Sequence, residues 1–202
     1  MEKVLVTGGS GYIGLHCISQ LLKAGFSVRT SLRSMDRKKE IQEALSGLIK
    51  DDKSLEFCEL DLMRDDGWDD AVKGCSYVLH VASPVYEKNM KDENSFIQPA
   101  KQGLLRALKP AIKYKIKRFV MTSSIAAITQ GHEDQEIDER YWSMIDKDTL
   151  PYIKSKTYAE KAMWDYMDEI EESKKIEVCT INPSFVFGPS LSYDMGASNL
   201  LI

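Results

Sequence analysis

The sequence is poor in the residues that build stapled or metal-held folds. Four cysteines (Cys17, Cys58, Cys75, Cys179) and three histidines (His16, His80, His132) are scattered over 202 residues, with no C-x-x-C pair. That scatter argues against a disulfide framework or a zinc site, so no metal is expected, and it fits a reducing compartment. No apolar run approaches the roughly 18 residues of a membrane-spanning helix. A first strand beginning at Lys3 leaves no room for a secretory leader. Neither sign of charge is in large excess: 27 Lys and Arg face 31 Asp and Glu, interspersed, for a net charge of −4. Such a surface offers no footprint for nucleic acid or an anionic membrane. Internal repeats and low-complexity stretches are missing too. These absences leave a cytoplasmic globular chain, long enough for one domain or one and a fraction.

What is present is alternation. Short apolar runs at 3–7, 27–32, 55–60, 77–81, 119–122 and 178–181 read as buried strands. Between them, helical spacing or composition marks 12–24, 35–49, 68–72, 96–114 and 151–173. Gly25 supplies the stop for the first helix. Strands that are nearly all apolar, separated by helices, imply a parallel sheet covered on both faces. Right-handed crossovers then favour an α/β, doubly wound arrangement. The polar stretch 131–138 (GHEDQEID) is expected at the surface. After Gly188-Pro189 the chain runs into an apolar end, ASNLLI. Residues 1–190 are therefore expected to form one dinucleotide-binding domain, with 191–202 beginning a C-terminal portion that is largely missing. The alternative is a short terminal helix docked on the core.

The first strand runs into Gly8-Gly9-Ser10-Gly11-Tyr12-Ile13-Gly14, with glycines 8, 11 and 14 in G-x-x-G-x-x-G spacing. Gly8 would permit a tight exit from the strand, and Gly11 a close approach of backbone to a pyrophosphate. Gly14 would let the helix pack closely on the sheet. Phosphates would sit at the helix N-terminus, where free N–H groups and the dipole favour negative charge. Any tight strand-to-helix turn could use such glycines, but this one has the context a dinucleotide site requires. The second strand ends Ser31-Leu32-Arg33, followed by Arg37, Lys38 and Lys39. NAD enzymes usually place an acidic residue near such a strand end; here Asp36 lies three residues beyond Arg33. An arginine can fork onto a 2′-phosphate instead, so NADP(H) is the expected cofactor. A solvated basic helix start is the plainer alternative.

Tyr152 and Lys156 stand four residues apart, on one face of a helix that Pro151 helps to open. Reduction of a carbonyl needs a proton donor on its oxygen, and a tyrosine's ordinary pKa of about 10 is high for that work near neutrality. A lysine cation on the same helix face favours the phenolate and brings the group nearer its working range. With nine tyrosines in the chain, one such pair is expected by chance, so order along the chain must supply the specificity. Thr122-Ser123-Ser124 closes the fifth strand, at the carboxyl edge where doubly wound folds bind ligands. A serine there could hydrogen-bond a substrate oxygen, or simply cap the next element.

These segments resemble the extended short-chain dehydrogenase/reductases, Rossmann-fold enzymes of the NAD-dependent epimerase/dehydratase family. The branch is that of dihydroflavonol 4-reductase, cinnamoyl-CoA reductase and bacterial aldehyde reductase-like proteins. V-T-G-G-S-G-Y-I-G, D-L (Asp61-Leu62), L-H-V-A-S-P, M-T-S-S, Y-I-K-S-K-T-Y-A-E-K and N-P-S-F-V-F-G-P carry the resemblance, in order, across nearly the whole chain. It implies a pyrophosphate turn at Gly8, Gly11, Tyr12, Ile13 and Gly14, and a 2′-phosphate reader at Arg33 with Lys38 nearby. It implies adenine contacts at Asp61 and Leu62, and a ribose and pyrophosphate path along Val81, Ala82 and Ser83. Pro183 and Val186 would face the nicotinamide. The catalytic group would be Ser124 (with Ser123 the fallback), Tyr152 and Lys156, the lysine also holding the nicotinamide ribose. Flavonoid reductases of this branch carry asparagine where Thr129 stands, which speaks against a flavonoid substrate. An aldehyde or ketone reductase, reversibly an alcohol dehydrogenase, is the leading expectation. A nucleotide-sugar epimerase or dehydratase and a non-catalytic NADP-binding sensor or scaffold are the alternatives. The resemblance also implies a possible homodimer through helices 96–114 and 151–173. Ile97, Leu104, Leu105, Leu108 and Ile112 would serve either that surface or, by default, the core.

Overall fold

A computed structural model of the chain describes residues 2–51, 53–84 and 93–192. Six parallel strands form one sheet: β1 (Lys3–Thr7), β2 (Ser27–Leu32), β3 (Leu55–Glu59), β4 (Tyr77–His80), β5 (Arg118–Thr122) and β6 (Glu177–Ile181). They stand in the order β3-β2-β1-β4-β5-β6. The direction of winding therefore reverses between β1 and β4, which opens a crevice at the carboxyl ends of those two strands. The helices are α1 (Tyr12–Lys23), α2 (Lys38–Ala44), α3 (Trp68–Val72), α4 (Asn94–Lys113) and α5 (Pro151–Glu169).

Side chains alternate across the sheet with period two, and β1 shows why both faces need helices. Val4 and Val6 pack with Leu15, Ile18 and Leu22 of α1 and Ile41 of α2. Leu5, between them, points to the opposite core with Val72 of α3, Leu104 and Leu108 of α4 and Met163 of α5. Ile97, Leu104 and Leu108 are thus buried within the chain, while Leu105 and Ile112 are only partly covered. Among the described residues no helix is long and apolar enough to cross a membrane.

Boundaries depart from the sequence expectation in two places. The helix expected over 35–49 is a 3-10 turn (Met35–Arg37), capped by Ser34, followed by a two-turn α2. Ile41 and Leu45 are the fully buried residues of that stretch, with Met35, Leu48 and Ile49 packed on the same core from partly exposed positions, and Ser46-Gly47 breaks the helix. The last helix stops at Glu169 because Ile170 is extended, and Glu172–Lys174 form a separate 3-10 turn. The apolar chain end singled out in the sequence, within 193–202, lies outside the described residues.

Arg29 ties the short α3 to the sheet. Its guanidinium donates to the carbonyl oxygens of Asp70 (2.9 Å), Ala71 (2.8 Å) and Lys73 (2.9 Å) and to Glu56 Oε2 (2.9 Å). A five-residue helix leaves most of its carbonyls without intrahelical partners, and a charged fork from β2 accepts that load.

Candidate active site

The glycine turn leaves β1 with Gly8 at φ +72°, where a Cβ would meet the Ala82 backbone at 2.9 Å. Gly14 stands where the first turn of α1 meets the exit of β1. A Cβ there would strike the carbonyl oxygen of Gly8, so helix and strand exit approach too closely for a side chain. Gly9, which the sequence reading passed over, is as constrained, since a Cβ would run into the Thr30 side chain. Gly11 is different. Its Cβ would meet nothing nearer than Gly8 O at 3.5 Å, and as N-cap of α1 it offers no side chain to the helix N–H groups. Tyr12, Ile13 and Gly14 form the first turn of that helix, so the open position lies where an anion would be held.

The opposite wall of the crevice is the exit of β4. Thr7 Oγ1 accepts from the backbone N–H of Val81 (3.1 Å) and Ala82 (3.0 Å) and lies 3.1 Å from His80 Nδ1. With both lone pairs of the hydroxyl engaged, its proton goes to Nδ1, which fixes His80 as a neutral Nε2–H imidazole. Burial, reinforced by the Lys156 cation, pushes the His80 pKa down to about 3. The ring stacks on Phe119 at 6.0 Å. Ser83 follows on the same exit, partly exposed.

At the end of β2, Arg33 is exposed. Its neighbours are engaged: Arg37 with Glu40, Lys39 with Glu43, and Lys38 over the Phe57 ring at 5.5 Å. Arg33 has no such partner among the described residues. Beyond β3, Asp61 Oδ1 accepts from Met63 N at 2.7 Å, which folds the Asp61-Leu62 turn. Leu62 seats against Gly103 of α4, and its carbonyl takes a hydrogen bond from Arg106 at 2.7 Å.

Ser123 and Ser124 continue β5 toward the same edge, and their roles separate. Ser123 is buried and donates to Glu160. Ser124 Oγ accepts from Ala126 N at 3.1 Å, capping the 3-10 turn Ile125–Ala127. The capping reading is therefore true of Ser124, yet its own O–H remains able to donate. α5 packs against that turn and carries Tyr152, 39% exposed, and Lys156, 7% exposed. The Lys156 ammonium stands 5.9 Å from the Tyr152 ring centre, and Phe96 of α4 lies 6.4 Å from the same ring. Pro183 accepts from Ile125 N at 3.1 Å, which brings the β6 exit beside the serine turn. Val186 is exposed, between Phe185 and Phe187, whose rings stack at 6.1 Å.

Burial, opposed by the Glu160 carboxylate, pushes the Lys156 pKa down from 10.5 to about 8. The folded chain therefore holds this proton less tightly than the unfolded chain. Below pH 8 the buried charge costs stability in full; stability recovers as pH rises from about 8 toward 10.5 and levels off above. Lys156→Met is accordingly expected to stabilise the chain at pH 7, by on the order of 3 kcal/mol. The gain should vanish near pH 10.5. Paired denaturant melts of parent and variant at the two pH values check both; equal stability at pH 7 would refute the buried-charge cost.

Thr7, His80, Glu160 and Asn182 were not singled out in the sequence, although each lies within a quoted segment or beside one. Glu160, eight residues after Tyr152 on the same helix, was the most accessible signal.

Comparison with known proteins agrees with this layout. Residues 4–201 match the NAD dependent epimerase/dehydratase family. Dihydroflavonol 4-reductase of Arabidopsis thaliana is 36% identical over 205 residues, covering 98% of this chain and 52% of the relative. Anthocyanidin reductase of Vitis vinifera is 32% identical over 203 residues, covering 96% and 58%. Yeast methylglyoxal/isovaleraldehyde reductase Gre2, solved with NADPH, superposes with a TM-score of 0.81 at 28% identity, covering 93% of this chain and 59% of that one. Vestitone reductase from alfalfa (Medicago sativa) gives 0.80 at 30% identity, covering 98% and 61%. The chain spans little more than half the length of these relatives. By the extent of these matches, and by a glycine turn opening onto the crevice between β1 and β4, the chain belongs to the NAD dependent epimerase/dehydratase family, the extended short-chain dehydrogenase/reductases.

Proposed function

We propose that the chain is the cofactor-binding and proton-handling part of an NADP(H)-dependent reductase of aldehydes or ketones, reversible as an alcohol dehydrogenase. The observation that carries this reading is the assembly at one sheet edge of Ser124, the Tyr152–Lys156 face of α5 and an open glycine turn. When bound, the nicotinamide supplies the hydride. The residues of the chain supply the rest. Gly8, Gly11 and the first turn of α1 (Tyr12, Ile13, Gly14) hold the pyrophosphate, and Val81, Ala82 and Ser83 line the opposite wall. Asp61 and Leu62 border the adenine. Ser124 Oγ–H hydrogen-bonds the substrate oxygen, Tyr152 Oη gives that oxygen its proton, and the Lys156 ammonium holds the ribose and favours the phenolate that remains. Pro183 and Val186 keep water from the reacting face.

Arg33 supports NADP(H) over NAD(H), since an unpaired guanidinium suits a 2′-phosphate and the yeast reductase was solved with NADPH. Thr129, where the flavonoid reductases carry asparagine, favours a simpler carbonyl compound. The test is a fluorescence titration with NADPH and NADH in parallel, followed by NADPH oxidation against aldehyde and ketone panels. Preference for NADPH is expected, and Arg33→Ala should weaken NADPH by about 10- to 100-fold while leaving NADH unchanged. Binding of neither cofactor would refute the proposal. Binding with no oxidation across the panels would favour a sensor or an epimerase instead.

A further inference from the structure

A buried carboxylate outside the proposed catalytic group joins the elements that carry it. Glu160 lies two turns beyond Tyr152 and one beyond Lys156 on α5, and is 3% exposed. Its Oε2 accepts from Ser123 Oγ, at the exit of β5, and from Asn182 Nδ2 (2.9 Å), at the exit of β6. The second hydrogen of that amide goes to the carbonyl of Ser124 at 3.1 Å. Helix, β5 exit and β6 exit thus meet on one carboxyl group.

We infer that Glu160 is a positioning residue, whose carboxylate sets the register between the Ser124 turn and the Tyr152–Lys156 face of α5. The catalytic meaning of that register rests on the reductase reading; the clamp itself does not. Two devices are combined. Donors from two strands on one acceptor fix how far α5 sits along and around its axis relative to Ser124. A misplacement of about 1 Å at a reacting group costs about 100-fold in rate, so such a lock has kinetic value. The same carboxylate opposes the burial cost of the Lys156 ammonium on its own helix. The other titratable neighbours do not replace it. His80, across from Lys156 on β4, is neutral with its pKa near 3. Asp138 and Glu139 line the cavity on the outer side of Glu160, and carry charge of the same sign as Glu160.

The test compares the parent chain with Glu160→Gln and Glu160→Ala by NMR, using 13C-labelled lysine, with Lys156→Met to assign the signal. Glutamine can keep both accepted hydrogen bonds on its amide oxygen while losing the charge. In that variant Lys156 should titrate below its parent value with the Ser123, Ser124 and Asn182 amide signals little moved. In Glu160→Ala those amide signals should move as well. Turnover adds a separate readout: Glu160→Ala is expected to lose about 100-fold in kcat with KM little changed. Glu160→Gln should recover most of that loss, with the alkaline limb of its pH profile shifted down. Unchanged Lys156 titration in Glu160→Gln, or unmoved Ser124 signals in Glu160→Ala, would overturn the inference. If Glu160→Ala does not fold, the glutamine variant decides alone. A parent that binds NADPH but turns over no carbonyl would sink the reductase reading, and the NMR result would still decide the clamp.

Discussion

Replacing Tyr152 with phenylalanine should remove turnover by about 1,000-fold or more while leaving the fold and NADPH affinity nearly as they were. The phenol is 39% exposed in the first turn of α5, and its ring lies beside Phe96 at 6.4 Å. Phenylalanine keeps the ring and those neighbours, so no cavity opens and melting should change little. What is lost is the O–H on the first turn of α5, the helix that packs on the Ser124 turn. Lys156 cannot take over the proton donation from its buried place, 5.9 Å from the ring centre. The check is kcat at saturating NADPH and carbonyl substrate, set beside a cofactor titration of the same preparation. Turnover within tenfold of the parent would assign the proton to another group and end the Tyr152 role.

Gly14→Ala should have the next largest effect, for a different reason. The added Cβ would press on the Gly8 carbonyl, a backbone atom that cannot swing aside as a side-chain tip can. Either α1 lifts from the turn or the turn opens, and the N–H groups lose their common focus. Overpacking of this kind costs about 1–3 kcal/mol of stability, and NADPH affinity should fall by about 100-fold, the worth of a pair of charge-assisted hydrogen bonds. Gly11→Ala is the informative companion. Its Cβ has ordinary room and its φ of −82° suits alanine, so the protein alone should barely notice. A loss of NADPH affinity there without a loss of stability would show that the ligand occupies the space above Gly11. Equal affinity in Gly11→Ala and the parent would put the pyrophosphate elsewhere.

The sheet was legible as a class because short strands alternate with helices and right-handed crossovers favour the doubly wound arrangement. The strand order, which puts the reversal between β1 and β4, comes from the structure. The first helix was legible from its spacing and from Gly25. The stretch at 35–49 misled because its charged composition suits a helix, while only Ile41 and Leu45 are fully buried and Met35, Leu48 and Ile49 pack on the core from partly exposed positions. At the site, the glycine spacing marked the turn but not which contact each glycine serves: Gly9 answers to Thr30, in the next strand and 21 residues on. The choice between Ser123 and Ser124 was likewise a tertiary matter. It depends on Glu160 reaching one hydroxyl and not its neighbour, and no local pattern encodes that reach.

Thr7 joins the end of β1 to the β4 exit through two backbone N–H groups and to a neutral His80. Both walls of the crevice are consequently ordered when the chain folds, before any ligand arrives. The entropy of arranging them is then charged to folding rather than to association. For a ligand as flexible as a dinucleotide, this means that the freedom lost on binding is chiefly the ligand's own.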